Sequence, residues 1–334
     1  MIELFSKNLS KISIIKKDFL DKNNFHLSQI KKINAKYIRL KKRKFCKNCK
    51  KKKLIYFFKS FKVNYFLCKK CNHLNGGFEE SEKFLNTLYS SHNGKNYSKN
   101  YIKNYKKRIN EIYLPKVKFL KKILGKIEII EMGSGDGAFL KACEIQKISA
   151  SGLEPNATMV KFAQKKLKKN KIYLSKLDKI QFQNPTNRKA CVVAIGVIEH
   201  LKDPDNFFHL FKKSKYKYLF FSVPLFSFSA ILENSFKDIY PRHLGGAHTH
   251  LYTEKSIDYI LNKYNLKKKA AWWFGQDILD LNRSLKINSN INYKNAYLKN
   301  FTSIYFDKNI NNIQTYFDKK KICSEVHMIV EKTI

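Results

Sequence analysis

Glu131-Met132-Gly133-Ser134-Gly135-Asp136-Gly137 is the stretch on which the fold turns. Before it, Ile127-Glu128-Ile129-Ile130 reads as a buried strand, and after it Gly137 to Ile145 reads as a helix. Glycines at 133, 135 and 137 let the backbone turn sharply and approach a ligand where any Cβ would collide. A glycine turn alone serves equally well to join a strand to a helix. The sequel is more specific: one further strand, Ser149 to Leu153, leads into Gly152-Leu153-Glu154-Pro155-Asn156. A carboxylate at the tip of that second strand can accept hydrogen bonds from both hydroxyls of a ribose. Glu154 is assigned that role, with Glu131, Gly133, Ser134, Gly135, Gly137 and Pro155 around a nucleotide-like cofactor.

Working outward, the periods keep alternating. Ala157 to Lys169 is a lysine-rich amphipathic helix, Ile172 to Leu174 a short strand, Ala190 to Ile195 a strong strand, Pro204 to Lys213 a helix and Tyr216 to Val223 another strong strand. Strands alternating with helices imply an α/β, parallel, doubly wound Rossmann-like sheet. Past Pro224 comes a segment rich in His and aromatic residues, 225–252, then a helix from Thr253 to Tyr264 and a strand from Leu266 to Phe274. Residues 276–321 read as a polar, helical C-terminal insertion, and Cys323 to Glu331 as the closing strand. This core spans 126–334, and residues 79–125 form a helical lead-in with Tyr89, Tyr97, Tyr101 and Tyr105, its last helix opened by Pro115 and ended at Gly125.

The seven cysteines fall at 46, 49, 68, 71, 143, 191 and 323, an odd, partly clustered set that does not describe a disulfide framework. Cys46-Lys47-Asn48-Cys49 and Cys68-Lys69-Lys70-Cys71 flank two strand-like runs, which describes a zinc ribbon over 46–78. Four thiolates complete a tetrahedral structural Zn2+ site with no position open for catalysis. His73 reads as a surface residue and not as a ligand, and Cys143, Cys191 and Cys323 as buried thiols.

Residues 1–45 read as a basic N-terminal arm with weak helical periodicity. The chain carries 67 Lys and Arg against 26 Asp and Glu, a formal net charge of +41. That balance ordinarily points to nucleic acid or an anionic surface. Here lysines run through every segment and arginines are few, a pattern that compositional bias explains better. The opening residues lack a signal-peptide pattern, and the longest apolar stretch, Leu219 to Leu232, falls well short of the ~20 residues needed to cross a bilayer. A cytoplasmic location with no transmembrane segment is expected.

After the fourth strand the chain continues Ala194-Ile195-Gly196-Val197-Ile198-Glu199-His200-Leu201-Lys202-Asp203-Pro204. Together with the glycine loop, this resembles class I S-adenosylmethionine (SAM)-dependent methyltransferases. The resemblance implies SAM as cofactor, Gly196 and Val197 lining its pocket, and Glu199 and His200 facing the acceptor. The zinc ribbon, the tyrosine-rich lead-in, and the late Phe274-Gly275-Gln276-Asp277 and Ile313-Gln314-x-x-Phe317-Asp318 are similar to bacterial sugar methyltransferases, including nucleotide-sugar C-methyltransferases. That likeness implies a sugar-type small-molecule acceptor, with acceptor-binding insertions at 225–252 and 276–321.

Histidine can remove an acceptor proton near neutral pH. Candidates are His200, His243, His248 and His250, with Glu199 as an orienting carboxylate. The related sugar enzymes have a Glu-His pair in the late loop. This chain has Arg242 before His243 and Thr249 before His250, so the base is not singled out. Tyr101, with Tyr97 and Tyr105, either closes the pocket as a lid or packs into the core. Two alternatives stand beside sugar methylation: an RNA methyltransferase that holds phosphate with its ribbon and basic arm, and a noncatalytic SAM-binding scaffold.

Overall fold

The computed structural model describes residues 1–15, 18–89, 104–175, 185, 189–246, 248–292 and 303–333. Tyr97 and Tyr101 lie outside the described residues. Its centre is an eight-stranded sheet whose parallel half comprises β5 (Ile129–Met132), β6 (Ala150–Glu154), β7 (Lys171–Leu174), β8 (Cys191–Ala194) and β9 (Tyr218–Pro224). With β1 (Ile2–Phe5), β11 (Leu266–Phe274) and β12 (Glu325–Lys332), the order across the sheet is β1-β11-β12-β9-β8-β5-β6-β7. Strands β8 and β9 are buried along their whole length, as central parallel strands covered on both faces must be.

The sheet is mixed, where an all-parallel one was expected. β12 runs antiparallel to both neighbours, with Glu325 opposite Phe274 on one side and Pro224 on the other. β11 ends at the C-terminal edge, and the helices Asp277–Asn292 and Lys308–Lys319 return the chain to that same edge. The last strand has only the reverse direction left to it.

Apolar side chains pack on both faces. One face buries Ile130, Met132, Val192 and Phe221 with Phe207, Phe208 and Ile257 from the helices Pro204–Lys213 and Glu254–Lys263. The other buries Ile129, Val193 and Phe220 with Val117, Phe139 and Val160 from Leu114–Leu124, Ala138–Ile145 and Ala157–Lys166. The helix expected to reach Lys169 stops at Lys166 because the Glu144 carboxylate takes the backbone N–H groups of Lys168, Lys169 and Asn170 at 2.8, 2.6 and 2.9 Å. Nor does Pro115 open a fresh helix. The chain runs through from Tyr105, and a widened turn at Ile109–Tyr113 precedes the proline, easing its clash with the preceding turn.

A second, antiparallel sheet contains β2 (Leu54–Ser60), β3 (Val63–Cys68) and β4 (Leu74–Gly76), completed by β10 (His250–Leu251) from the late loop. The described part of residues 1–45 packs against both sheets. β1 pairs with β11 at the sheet edge, Leu9 and Ile12 pack on Ile278 and Ile310, and Tyr37 of the helix Asn23–Tyr37 lies in the core beneath the ribbon. No helix among the described residues is long and apolar enough to cross a membrane.

Candidate active site

The glycine loop folds back on β6. The N–H groups of Gly133 and Ser134 both donate to the Leu153 carbonyl, at 2.8 and 3.1 Å. Gly133, Gly135 and Gly137 all have positive φ, and a Cβ on Gly135 would point into open space. Gly152 on β6 was not singled out from sequence, yet a Cβ there would fall on Ser134 Oγ and Leu140 Cδ1, so the loop seats only on a glycine. Glu154 closes the β6 tip, accepting from Gly135 N at 2.8 Å and Asn156 N at 2.9 Å. Each carboxylate oxygen keeps a further acceptor direction. Pro155 beside it is exposed.

Three carboxylates at this edge retain a buried oxygen that has no hydrogen-bond partner among the described residues: Glu131 Oε2, Asp136 Oδ2 and Glu199 Oε2. Burial holds Glu131 well above the usual carboxylate range, reinforced by Asp136 and Glu154 and opposed by the Ser134 hydrogen bond and Lys116. It raises Asp136 and Glu154 too, and lifts Glu199 to about 8. Such groups stay orphaned only at a cost unless a ligand supplies donors. A cofactor that carries both hydrogen-bond donors and acceptors, seated where Gly135 opens, would satisfy these carboxyls in either protonation state. Gly196 (φ 67°) turns the end of β8 toward it, its N–H held by Ser222 Oγ at 2.9 Å, and Val197 is buried. Lys116, missed because one lysine among so many carries no signal, is buried; burial lowers it to about 8, against the pull of Glu325, Glu131 and Glu199. Tyr105 is buried edge-on against Phe162.

The histidines converge on the neighbouring part of the same edge. His200 and His248 lie with ring centroids 5.0 Å apart, and burial first, then the charge of His243, lowers His248 to about 4. His243 donates its backbone N–H to Glu233, and its Nδ1 lies 3.1 Å from Glu233 Oε1. Glu233, His243 and Asp280 bring ligand atoms within 4.8 Å of one another, but Glu233 already takes the backbone N–H groups of Arg242 and Leu244, and Asp280 a forked Arg242 guanidinium. His250 is fully buried, its Nδ1 2.8 Å from Nε2 of His73. His73 is therefore not on the surface: β10 adds to β4 and carries the late loop over it. Glu233 was not singled out from sequence, and His73 was read as a surface residue, because their partners lie 10 and 177 residues away.

Cys46, Cys49, Cys68 and Cys71 are buried with all four sulfurs within 4.8 Å of one another. Sγ separations of 3.7 Å (Cys46 to Cys71) and 3.5 Å (Cys49 to Cys68) exclude disulfides and suit ligands of one ion. The two knuckles repeat one geometry. Cys46 N donates to Lys51 O and Cys68 N to His73 O, both at 3.0 Å, and the residue after each second cysteine, Lys50 or Asn72, has positive φ. These four residues could hold zinc. Cys143, Cys191 and Cys323 are buried, as expected.

The late motifs meet each other, away from the glycine loop. Asp277 accepts from Ser227 Oγ, Ser229 N, Ser324 N and Gln314 Nε2, and Gln314 also donates to Asp318. They tie the ends of β9, β11 and β12 together.

The sequence profile of a family described as a methyltransferase domain matches residues 104–270. No curated protein matches the chain's sequence. Among solved structures, a magnesium protoporphyrin IX methyltransferase from Synechocystis PCC 6803 with bound SAH is similar at 9% identity and a TM-score of 0.50, over 76% of this chain and 100% of that one. That likeness shows the fold. Looser matches include phosphoethanolamine N-methyltransferase 2 of Haemonchus contortus in complex with S-adenosyl-L-methionine (11% identity, 78% of this chain and 62% of that one, TM-score 0.46). Another is a SAM-dependent methyltransferase from Archaeoglobus fulgidus (19% identity, 67% and 94%, TM-score 0.41).

Proposed function

The chain belongs to the methyltransferase domain family and is a SAM-dependent methyltransferase, and on that premise we propose that it methylates a small molecule, a nucleotide-linked sugar or surface-glycan precursor, with a histidine taking the acceptor's proton. When bound, SAM supplies an electrophilic methyl carbon on a sulfonium sulfur. Glu131, Gly133, Ser134, Gly135 and Gly137 would hold it from the β5 side, Glu154 would take its ribose hydroxyls, and Gly196 and Val197 would flank it from β8. The acceptor must be oriented in line and, where its pKa demands, deprotonated.

The observation that carries the small-molecule reading is burial. His243 and His250 are 5% and 0% exposed, so an acceptor atom reaches either only where the side chains packed over it part, which a small molecule demands far less than a nucleic-acid strand does. The four cysteines are proposed to hold one structural zinc.

Labelled SAM incubated with fractionated cell extract tests this reading. Label is expected in nucleotide sugars or glycan precursors. Label solely in RNA, or SAM binding with no transfer to any fraction, would overturn it.

A further inference from the structure

The four-cysteine ribbon touches the late loop through one imidazole. His73 lies two residues beyond Cys71, and its backbone carbonyl closes the second knuckle by accepting from Cys68 N at 3.0 Å and from Asn75 Nδ2 at 2.9 Å. Its ring leaves the ribbon and meets the late loop. Nε2 lies 2.8 Å from His250 Nδ1 and Nδ1 lies 3.4 Å from Ser256 Oγ, while Tyr252 packs edge-on with ring centroids 4.6 Å apart. Tyr252 itself runs beside the end of β9, exchanging backbone hydrogen bonds with Pro224 and Phe226. The pair thus stands at the C-terminal edge of the sheet, where ligands of this architecture bind. His250 Nε2 and Tyr252 Oη are both buried with no partner among the described residues.

The donor inventory orders the protons along this chain. Ser256 Oγ accepts from Thr253 N at 2.8 Å and donates its only hydrogen to the Thr253 carbonyl at 2.9 Å. Towards His73 it has only a lone pair left to offer. The Thr253 carbonyl at 2.9 Å is the nearer acceptor for the Ser256 hydrogen than His73 Nδ1 at 3.4 Å, so His73 Nδ1 carries the proton, which leaves His73 Nε2 as an acceptor. His250 Nδ1 must in turn donate to it, which leaves His250 Nε2 bare. One ring nitrogen's hydrogen bond sets the state of the other.

We propose that His73, presented by the zinc ribbon, is a positioning residue that holds His250 in the tautomer with a bare Nε2, and that this nitrogen is the proton acceptor of the methyl-transfer reaction. This rests on the histidine-assisted reading above and selects among its four candidates. The proton leaves the acceptor's O–H or C–H bond for His250 Nε2, producing an imidazolium, and the electron pair left on the acceptor atom would form the bond to the methyl carbon as the carbon–sulfonium bond breaks, its electrons staying on the sulfur of the thioether that departs. The imidazolium keeps its Nδ1 proton against His73. No proton has to pass through the ribbon.

Two measurements on the full-length protein decide it. In the 15N spectrum of the imidazole nitrogens, with His250 assigned by the signals lost in His250→Gln, Nδ1 is expected protonated and Nε2 bare. His73→Leu is expected to abolish that preference, whereas a protonated Nε2 in the unmodified protein would overturn the proposal. In turnover, His73→Leu removes the acceptor atom and should lower kcat by at least about tenfold, at the low end of what a general base contributes, with KM for SAM unchanged. His73→Gln keeps an acceptor near the position of Nε2 and should recover most of that loss. Equal loss in both variants, at unchanged zinc content and melting temperature, or loss in neither, would overturn the positioning role. Should the unmodified protein transfer label to no acceptor, the functional reading fails while the spectrum still decides the tautomer.

Discussion

Glu154 illustrates how far a single side chain can be read. Its place at the tip of the second strand was legible from the alternation of strand and helix, and the chain places it as the last residue of β6. Replacing it with Ala removes charged hydrogen-bond acceptors worth about 1.5–3 kcal/mol each. SAM affinity measured by calorimetry should therefore fall by roughly tenfold to a hundredfold; unchanged affinity would contradict the ribose role. Glu199 carries a pH signature. Burial raises it from 4.5 to about 8, so the folded protein binds this proton more tightly than the unfolded chain does. The associated stability is present in full below the unfolded value of 4.5 and is lost as the pH rises through about 8. Glu199→Gln has no proton to lose. The cofactor-free variant should melt with the parent protein at pH 4 and several degrees above it at pH 9, and a constant difference across that range would refute the assignment. What stayed illegible at this scale was pairing. Nothing local to His73 or Lys116 announces a partner or its burial.

At the scale of elements, the parallel half of the sheet was readable because buried central strands are continuous apolar runs, as in Cys191–Ala194 and Tyr218–Pro224. The direction of β12 was not, since an apolar run looks the same from either end. β10 is two residues long and β1 four, too short for a period to show. The contact between the glycine loop and β6 also becomes visible only in three dimensions, and it makes Gly152 testable. Gly152→Ala drives a methyl into Ser134 Oγ and Leu140. Overpacking of this kind costs about 1–3 kcal/mol, so thermal melting should drop by a few degrees and SAM binding should weaken with it. A melt and an affinity both equal to those of the parent would show that the loop seats differently.

Across the whole molecule, the ribbon is welded to the core. Lys47 and Arg43 pair with the Glu80 carboxylate at 2.8 and 2.7 Å, and Glu80 also takes the Thr249 hydroxyl of the late loop. All three ionic partners are buried, so loosening the ribbon would strand charge rather than free a domain. Elemental analysis should find one zinc per chain. Stripping it with a chelator should lower the melting temperature by at least about 5 °C, since structural zinc contributes folding free energy directly, and should lower turnover in step. A chelator-treated protein with intact activity would separate ribbon from chemistry. By contrast, burial takes few of the lysines behind the +41 net charge: among the described residues only Lys47 and Lys116 are buried.

The borrowed fourth strand of the ribbon also has a bearing on synthesis. His73 and His250 are 177 residues apart, and ribosomes add roughly 5–20 residues per second. For roughly 10–35 s, β4 leaves the ribosome with one edge unpaired while its partner has yet to be translated. An open strand edge invites foreign pairing, and in the nascent chain it opens next to four free thiols that can oxidise to each other. Early metal capture would shorten that exposure, so the yield of soluble protein should depend on zinc supplied during translation rather than after it.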